Sequence, residues 1–179
     1  MVKGPTGDLL RTIRTVPDFP KPGIMFRDIT TLLKDKDAFA RAVDMLVERY
    51  RDQQIDKVVC VESRGYILGA VLASRLHAGF VPVRKPGKLP AKTIREEYQL
   101  EYGVDALEIH IDAIQKGERV IVHDDLLATG GTMAATCRLI ERLGGTIVGV
   151  SFLIELEFLN GRDKLGGVDI FSVLRYDRE

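Results

Sequence analysis

The segment that most constrains this chain is Val120 to Thr132, which runs VIVHDDLLATGGT. Its first three residues are apolar and β-branched, and such a run predicts a buried strand of a parallel sheet. From Met133 onward, apolar residues recur every three or four positions, which predicts an amphipathic helix. Residues 124–132 would form the loop between them, at the carboxyl end of the strand, where open α/β sheets bind their ligands.

The same loop has the chemistry of a phosphate site beside a sugar site. The backbone N–H groups at the start of the helix are unpaired and lie at the positive end of its dipole, which favours an anion. Asp124 and Asp125 only accept hydrogen bonds when ionised, so they suit ribose hydroxyls or the water shell of a metal. An ordinary turn would explain Gly130-Gly131 alone, but not the whole string. The candidate residues for phosphate and ribose are Asp124, Asp125, Ala128, Thr129, Gly130, Gly131 and Thr132.

A second strand, loop and helix repeat this geometry earlier in the chain. Residues 58–61 predict a central strand, 62–65 its exit loop and 66–76 the helix that follows. Arg64 would be the charge partner of a second anion, whereas Glu62 would orient its neighbours. Two anion sites at strand ends of one sheet suit a substrate with a phosphate at one end and a pyrophosphate at the other. The alternative for Arg64 is an ordinary surface salt bridge.

The densest basic cluster of the chain follows a short strand at residues 80–83. Its members are Arg84, Lys85, Lys88, Lys92 and Arg95, with Pro86, Gly87 and Pro90 among them. This composition predicts neither helix nor strand, and a solvated charged face is one explanation. A mobile loop over residues 86–105 that closes on a polyanion explains both the charge and the flexibility, and we prefer it.

Composition and charge exclude several classes of protein. The 179 residues suffice for one domain with a sizeable core. Lys plus Arg and Asp plus Glu number 26 each, which argues against a general nucleic-acid binder. Cys60 and Cys137 lie in apolar settings without metal-ligand spacing, so we expect reduced core cysteines and a cytoplasmic protein. No apolar run of about 18 residues occurs, so no membrane span is expected.

The remaining elements are predicted as scaffold for these loops. We expect a short helix over residues 8–14, an ordered proline-rich loop over 17–23, and a helix capped by Asp35 or Asp37. Residues 107–111 alternate like a half-exposed strand, 146–154 form a buried strand ended by Glu155, and 170–174 form the last strand. The prediction is one α/β domain over residues 1–179, with a mostly parallel sheet flanked by helices and an N-terminal hood at 1–34.

The string HDDLLATGGT, from His123 to Thr132, resembles the phosphoribosyl-pyrophosphate motif of the type I phosphoribosyltransferases. Three further strings are similar to the adenine-specific members of that family: PDFPKPGIMFRDIT from Pro17, ESRGY from Glu62, and RKPGKLP from Arg84. EYQLEYG follows at Glu97. The four matches run in order over nearly the whole chain.

The resemblance implies the fold of that family, with a flexible catalytic loop, and assigns roles to individual residues. Phe26 would stack on adenine, and the backbones of Met25 and Arg27 would bond to the purine edge. Glu101 would act in catalysis on the lid, with Tyr102 beside it, and Arg64, Asp124 and Asp125 would complete the catalytic group. The pyrophosphate would be bound by Glu62, Ser63, Arg64, Arg84, Lys85 and Lys88.

The resemblance also implies the reaction and its partners. Adenine and phosphoribosyl pyrophosphate would give AMP and pyrophosphate, with Mg²⁺ held through the ligand and water and not directly by protein side chains. The family is usually a homodimer, and a non-proline cis peptide is expected between Glu62 and Ser63. Two alternatives remain. A phosphoribosyl-pyrophosphate-sensing regulator would need a DNA-binding part, and an enzyme for hypoxanthine, guanine or xanthine would need an acidic residue or lysine at the purine edge.

Overall fold

A computed structural model describes residues 5–99 and 103–178. The central sheet has five strands, which in chain order are β3 (Lys57–Val61), β4 (Gly79–Val83), β7 (Arg119–Leu127), β8 (Thr146–Leu156) and β9 (Ile170–Tyr176). They lie side by side in the order β4-β3-β7-β8-β9, and every neighbouring pair is parallel. The predicted parallel α/β sheet is confirmed, and its crossovers place all five carboxyl ends at one edge.

Three longer helices cover the two faces of this sheet. They are α3 (Lys36–Tyr50), α4 (Gly65–Arg75) and α5 (Gly131–Leu143). On one face α3 and α4 pack on a core that contains Leu46, Leu68 and Ile121, while α5 packs on the other with Val122. Because both faces are covered, the strands carry apolar side chains on both sides, which is why their sequences are continuous hydrophobic runs. Asp35 caps α3 through its side chain, as predicted.

The N-terminal hood consists of short elements around one strand pair. It comprises the helices α1 (Pro5–Leu10) and α2 (Thr30–Leu33) and the antiparallel strands β1 (Arg14–Val16) and β2 (Phe26–Asp28). The helix predicted over residues 8–14 is therefore wrong at its end, because Arg14 pairs with Asp28 in this small sheet. Residues 17–23 are neither helix nor strand, as predicted.

Part of the segment predicted as a lid belongs to a β-hairpin. Strand β5 (Thr93–Gln99) pairs antiparallel with β6 (Val104–His110), and it includes Arg95 of the basic cluster. The sequence of β5 lacks the alternation of apolar and polar residues that predicts a strand, because charged residues occupy its partly buried positions. Glu96, for example, pairs with Arg138 and Arg142 of α5. Ordered pairing thus replaces the expected irregular backbone at residues 93–99 and 104–105.

The boundaries of the central motif also differ from the prediction. Strand β7 continues through Asp124 and Asp125 to Leu127, and α5 begins at Gly131, so the loop is shorter than expected. Strand β8 ends with Glu155 and Leu156, as predicted. Pairing with β8 continues to the end of β7, because Leu127 lies opposite Glu155. Tertiary pairing therefore keeps polar residues in the sheet that the sequence assigned to loops.

Candidate active site

The loop between β7 and α5 forms a small cradle at the start of the helix. A cavity of about 90 Å³ is lined by Asp124 and by residues 126–133. Gly130 has a φ of 78°, a left-handed conformation that glycine adopts without steric cost, and it is the N-cap residue of α5. The first N–H groups of a helix have no partner within it, so this backbone faces the cradle with hydrogen-bond donors. The arrangement suits a phosphate group.

The two adjacent aspartates have different environments. The backbone N–H of Asp125 donates to Oδ1 of Asp124 at 2.8 Å, and the Asp125 carboxylate pairs with Arg64, with 2.5 Å between Nε and Oδ2. Burial and the neighbouring Asp125 carboxylate raise the pKa of Asp124 well above its usual range. The pair therefore offers one carboxylate held in place by an arginine and one that takes up a proton more readily than an ordinary aspartate.

The loop after β3 is organised around Glu62. Its two carboxylate oxygens accept from Nε of Arg84 at 2.7 Å and from the backbone N–H of Lys85 at 2.6 Å. Burial would raise the pKa of Glu62, but these hydrogen bonds and the Arg84 charge outweigh it, so the pKa is lowered. Glu62 thus orients its neighbours, in agreement with the sequence interpretation. The peptide bond between Glu62 and Ser63 is cis, as predicted.

Lys85 connects this loop to the hairpin. Its ammonium group contacts Oδ2 of Asp105 and lies 3.0 Å from the hydroxyl of Tyr98. Burial lowers the pKa of a lysine, but the hydrogen bonds that Lys85 donates to Asp105 and Tyr98 outweigh that effect, so the pKa of Lys85 is raised. A cation is therefore held at the entrance to the central cavity of about 360 Å³ between residues 61–64, Lys85 and 124–126.

A third cavity of about 410 Å³ lies under the hood and is mostly apolar. Phe26 and Phe19 form its aromatic wall, with ring centroids 5.0 Å apart in an edge-to-face arrangement. The guanidinium carbon of Arg64 lies 5.2 Å from the Phe26 ring centroid. A flat aromatic ligand fits such a wall, because aromatic rings pack favourably in offset or edge geometry.

Some residues with a predicted role in catalysis or adenine binding lie outside the described cavity linings or outside the described part of the chain. Glu101 and Tyr102 lie outside the described part of the chain. The lining of the cavity under the hood, as far as it is described, includes Phe26 but neither Met25 nor Arg27, so their backbone roles stay predictions. The Arg27 side chain points away to the Tyr176 ring, 4.3 Å from its centroid.

Two predicted cations are less central than expected. In the described residues that line the central cavity, Lys85 is present but Arg84 and Lys88 are absent. Arg84 is held by Glu62 and donates to the backbone oxygen of Lys88 at 3.0 Å. Arg84 therefore contacts Glu62 and Lys88 from outside the described lining of the central cavity.

Several residues near the site were missed by the sequence interpretation. Phe19, Tyr98 and Asp105 are examples, and so is the ion pair between Glu155 and Arg162. Tyr98 lies within the string EYQLEYG and could have been found there, because that string already carried the resemblance. Asp105 had no such signal, since the backbone bridge between Arg84 and Glu108 brings its strand to Lys85.

Among the described residues, no group of three or more His, Cys, Asp or Glu side chains is arranged to hold a metal ion by itself. The oxygens of Asp124 and Asp125 are hard donors of the kind that Mg²⁺ and its water shell accept. The donor set therefore fits a magnesium ion bound mainly through a phosphate ligand. In the same described part, no helix has the length and apolarity needed to span a membrane.

Comparison with known proteins agrees with this geometry. The sequence profile described as "Phosphoribosyl transferase domain" matches residues 29–165, which include both anion loops and the end of the hood. The fold and the site thus define the class as a phosphoribosyltransferase.

Individual similar proteins indicate which branch of the phosphoribosyltransferases the chain belongs to. The adenine phosphoribosyltransferase of Acidobacterium capsulatum is 60% identical over 164 residues, which cover 92% of this chain and 91% of that protein. The crystal structure of the Thermoanaerobacter pseudethanolicus enzyme of that name is 52% identical with a TM-score of 0.93, covering 96% of this chain and 99% of the other. The Saccharomyces cerevisiae enzyme, solved with adenine and an imino-altritol bisphosphate, is 39% identical with a TM-score of 0.89, covering 95% and 98%. The chain belongs to the adenine phosphoribosyltransferase branch of the phosphoribosyltransferase family.

Proposed function

We propose that this enzyme transfers the 5-phosphoribosyl group from phosphoribosyl pyrophosphate to adenine, giving AMP and pyrophosphate in purine salvage. One observation carries the proposal: three cavities meet through shared residues. Arg64 lines both the cavity under the hood and the central cavity, while Asp124 and Thr132 line both the central cavity and the phosphate cradle. A purine, a ribose with its pyrophosphate, and a 5-phosphate would occupy them in that order.

The reaction breaks the bond between the anomeric carbon and the pyrophosphate oxygen, whose electron pair leaves with pyrophosphate. A nitrogen of adenine supplies the electrons for the new bond to that carbon from the opposite face, and loses its proton. Negative charge grows on the leaving group, so fixed cations near it lower the barrier. Arg64 and Lys85 face that position, and each is already held by a carboxylate, Asp125 and Asp105.

The aspartates at the end of β7 serve the ribose. Asp125 is held in place by Arg64 and accepts hydrogen bonds from ribose hydroxyls, and its charge lies near the carbon that becomes cationic. Mg²⁺ bound with phosphoribosyl pyrophosphate would supply positive charge that offsets part of the pyrophosphate charge. Asp124 and Asp125 supply oxygen acceptors for its water shell.

Glu101 and Tyr102 are proposed to complete the site from the tip of the hairpin, which is the lid. The described arms end at Gln99 and begin again at Gly103, and Tyr98 of the first arm already lines the central cavity. Glu101 handles the proton at the base or stabilises the ribosyl cation, while the lid excludes water.

The active form is proposed to be a cytoplasmic homodimer. Ile67 of α4 and Phe80 of β4 are large apolar side chains with 41% and 38% of their surface exposed, on two elements that pack together. Burial against a second copy would remove this surface from water. Free, buried Cys60 and Cys137 are compatible with a reducing compartment. Sedimentation at several protein concentrations tests the dimer.

A product assay tests the proposed reaction against its two rivals. The enzyme is incubated with phosphoribosyl pyrophosphate, Mg²⁺ and either adenine, hypoxanthine or guanine, and nucleotide products are separated. AMP formation with little product from the 6-oxopurines supports the proposal. Preferred turnover of hypoxanthine would favour the 6-oxopurine enzyme, and ligand binding without any product would favour the regulator.

A further inference from the structure

An ion pair between a buried carboxylate and a partly exposed arginine lies next to the phosphate cradle. Glu155, near the carboxyl end of β8, is 2% exposed and accepts two hydrogen bonds from Arg162, whose Nη2 lies 2.7 Å from Oε2. The Ser172 hydroxyl on β9 donates to the same oxygen at 2.6 Å. Burial would raise the pKa of Glu155, but these hydrogen bonds and the arginine charge outweigh it, so its pKa is lowered. The carboxylate is therefore ionised and fully engaged.

This pair does not contact the proposed substrates. In the described lining of the three cavities neither Glu155 nor Arg162 is present. The Arg162 side chain is 37% exposed, but taking the Glu155 carboxylate out of water costs several kcal/mol, so the pair adds little net stability compared with apolar residues of similar size. Its bidentate geometry does fix the position of what it connects. It connects strand β8 to a 3-10 turn at Gly161–Leu165.

That turn lies directly against the phosphate loop, backbone to backbone. A methyl group on Gly130 would lie 2.3 Å from the carbonyl oxygen of Gly161, and one on Gly161 would lie 2.2 Å from the carbonyl oxygen of Ala128. Two glycines are therefore needed for this approach. Leu165, at the end of the turn, is buried in the same core cluster as Leu127 and Met133, which flank the loop. The turn is the back wall of the cradle.

We propose that Glu155 and Arg162 are positioning residues for phosphate binding. They hold the turn at residues 161–165 against residues 128–130, so the N–H groups at the start of α5 are aligned before the 5-phosphate arrives. A preformed cradle binds more tightly because the loop loses less conformational freedom on binding. The inference rests on the proposed function, in which this loop takes the 5-phosphate of phosphoribosyl pyrophosphate.

The test replaces the pair and measures each substrate separately. Because Arg162→Met alone leaves the buried Glu155 carboxylate with only the Ser172 hydroxyl and the more distant Arg175, 3.8 Å away, the main variant is the double mutant Glu155→Gln with Arg162→Met. We expect its KM for phosphoribosyl pyrophosphate to rise at least tenfold, its KM for adenine to change less than twofold, and kcat to fall less than threefold. Arg162→Lys keeps the charge but loses the bidentate geometry, so its KM should lie between the two. Arg49→Met, which removes another ion pair next to β9, is the matched control and should leave both KM values unchanged.

Binding of ribose 5-phosphate, measured by calorimetry, separates this inference from the proposed function. It requires no turnover, so a wild-type protein that binds the sugar phosphate but makes no AMP would refute the function and leave the positioning role testable. At least tenfold weaker binding to the double mutant supports the inference. Unchanged ribose 5-phosphate binding, or equal losses for adenine and the sugar phosphate, would reduce the pair to a general structural contact.

Discussion

At the scale of single residues, the site works by holding charges in place before substrate arrives. Arg64 pairs with Asp125, Arg84 with Glu62, and Lys85 with Asp105. Cations that must stabilise a leaving pyrophosphate would repel one another in an empty site, and each carboxylate neutralises one of them. Substrate phosphates then share partners that are already oriented, which lowers the reorganisation needed in the reaction.

Asp125→Asn tests this organisation. The amide cannot hold Arg64 as an ion pair and loses the negative charge near the ribose, so we expect kcat/KM to fall about 100-fold, which corresponds to ~3 kcal/mol of transition-state stabilisation. Steady-state kinetics with both substrates measure it, and thermal unfolding reports on the fold. The matched control is Asp169→Asn, which breaks a more exposed pair with Arg49. Wild-type kcat/KM in Asp125→Asn would remove the assigned role.

At the scale of elements, the position of the phosphate loop depends on the neighbouring 3-10 turn. The position of the lid depends on the two strands of the hairpin that carry it. Neither relation is local in sequence. The loop and the turn are 30 residues apart, and they meet because β8 runs beside β7 and ends next to the loop. The hairpin meets α5 through Glu96, which pairs with both Arg138 and Arg142.

A pair of glycine substitutions separates backbone strain from contact at the loop. Gly130 and Gly117 both have positive φ, at 78° and 87°, so alanine at either costs roughly 1–2 kcal/mol of stability. Only at Gly130 would the new methyl collide, 2.3 Å from the Gly161 oxygen, whereas Gly117 has nothing within 4 Å. We expect Gly130→Ala to raise KM for phosphoribosyl pyrophosphate more than tenfold, and Gly117→Ala to leave it unchanged. Equal kinetics in the two variants would contradict the contact.

The lid is tested at Glu101. Glu101→Gln keeps the size and removes the charge, so kcat should fall at least 100-fold, the scale of one acid–base group, while KM changes less than threefold. Protease cleavage at residues 100–102 should slow when phosphoribosyl pyrophosphate is added. Glu97→Gln is the control on the same hairpin, because Glu97 is exposed and pairs with Arg95. Unchanged kcat in Glu101→Gln would leave that residue without a catalytic role.

At the scale of the whole molecule, stability depends on a histidine inside the sheet. His123 is fully buried between α4 and the sheet, with Nδ1 3.0 Å from the Ser151 hydroxyl, and burial lowers its pKa from 6.5 to about 4. Between these two pKa values the unfolded chain binds a proton that the folded chain does not. Lowering the pH in this window therefore favours unfolding.

We expect the His123 contribution to lower the free energy of unfolding by about 2 kcal/mol from pH 7.5 to pH 5. Urea denaturation at both pH values measures it in the wild type and in His123→Asn, whose side chain can keep a polar atom near Ser151 without titrating. The pH effect should be smaller in the variant by that amount, which removes the contributions of other groups common to both proteins. An identical pH effect in both proteins would contradict the assigned pKa.

The sequence by itself determined the elements and the chemistry of the loops. Apolar runs gave β3 and β7, three-four spacing gave the helices, and the string at residues 120–132 gave the phosphate loop, because these signals are local. The resemblance added the reaction and the cis peptide at Glu62.

The tertiary structure alone decided which distant residues meet. Asp105 reaches Lys85 because β6 is bridged through Glu108 to Arg84, and Arg162 reaches Glu155 because a turn folds back onto β8. It also extended β7 through Asp124 and Asp125, since pairing with β8 satisfies the backbone of polar residues that sequence alone assigns to a loop. Local patterns are set by neighbours in the chain, whereas these contacts depend on how the sheet is assembled.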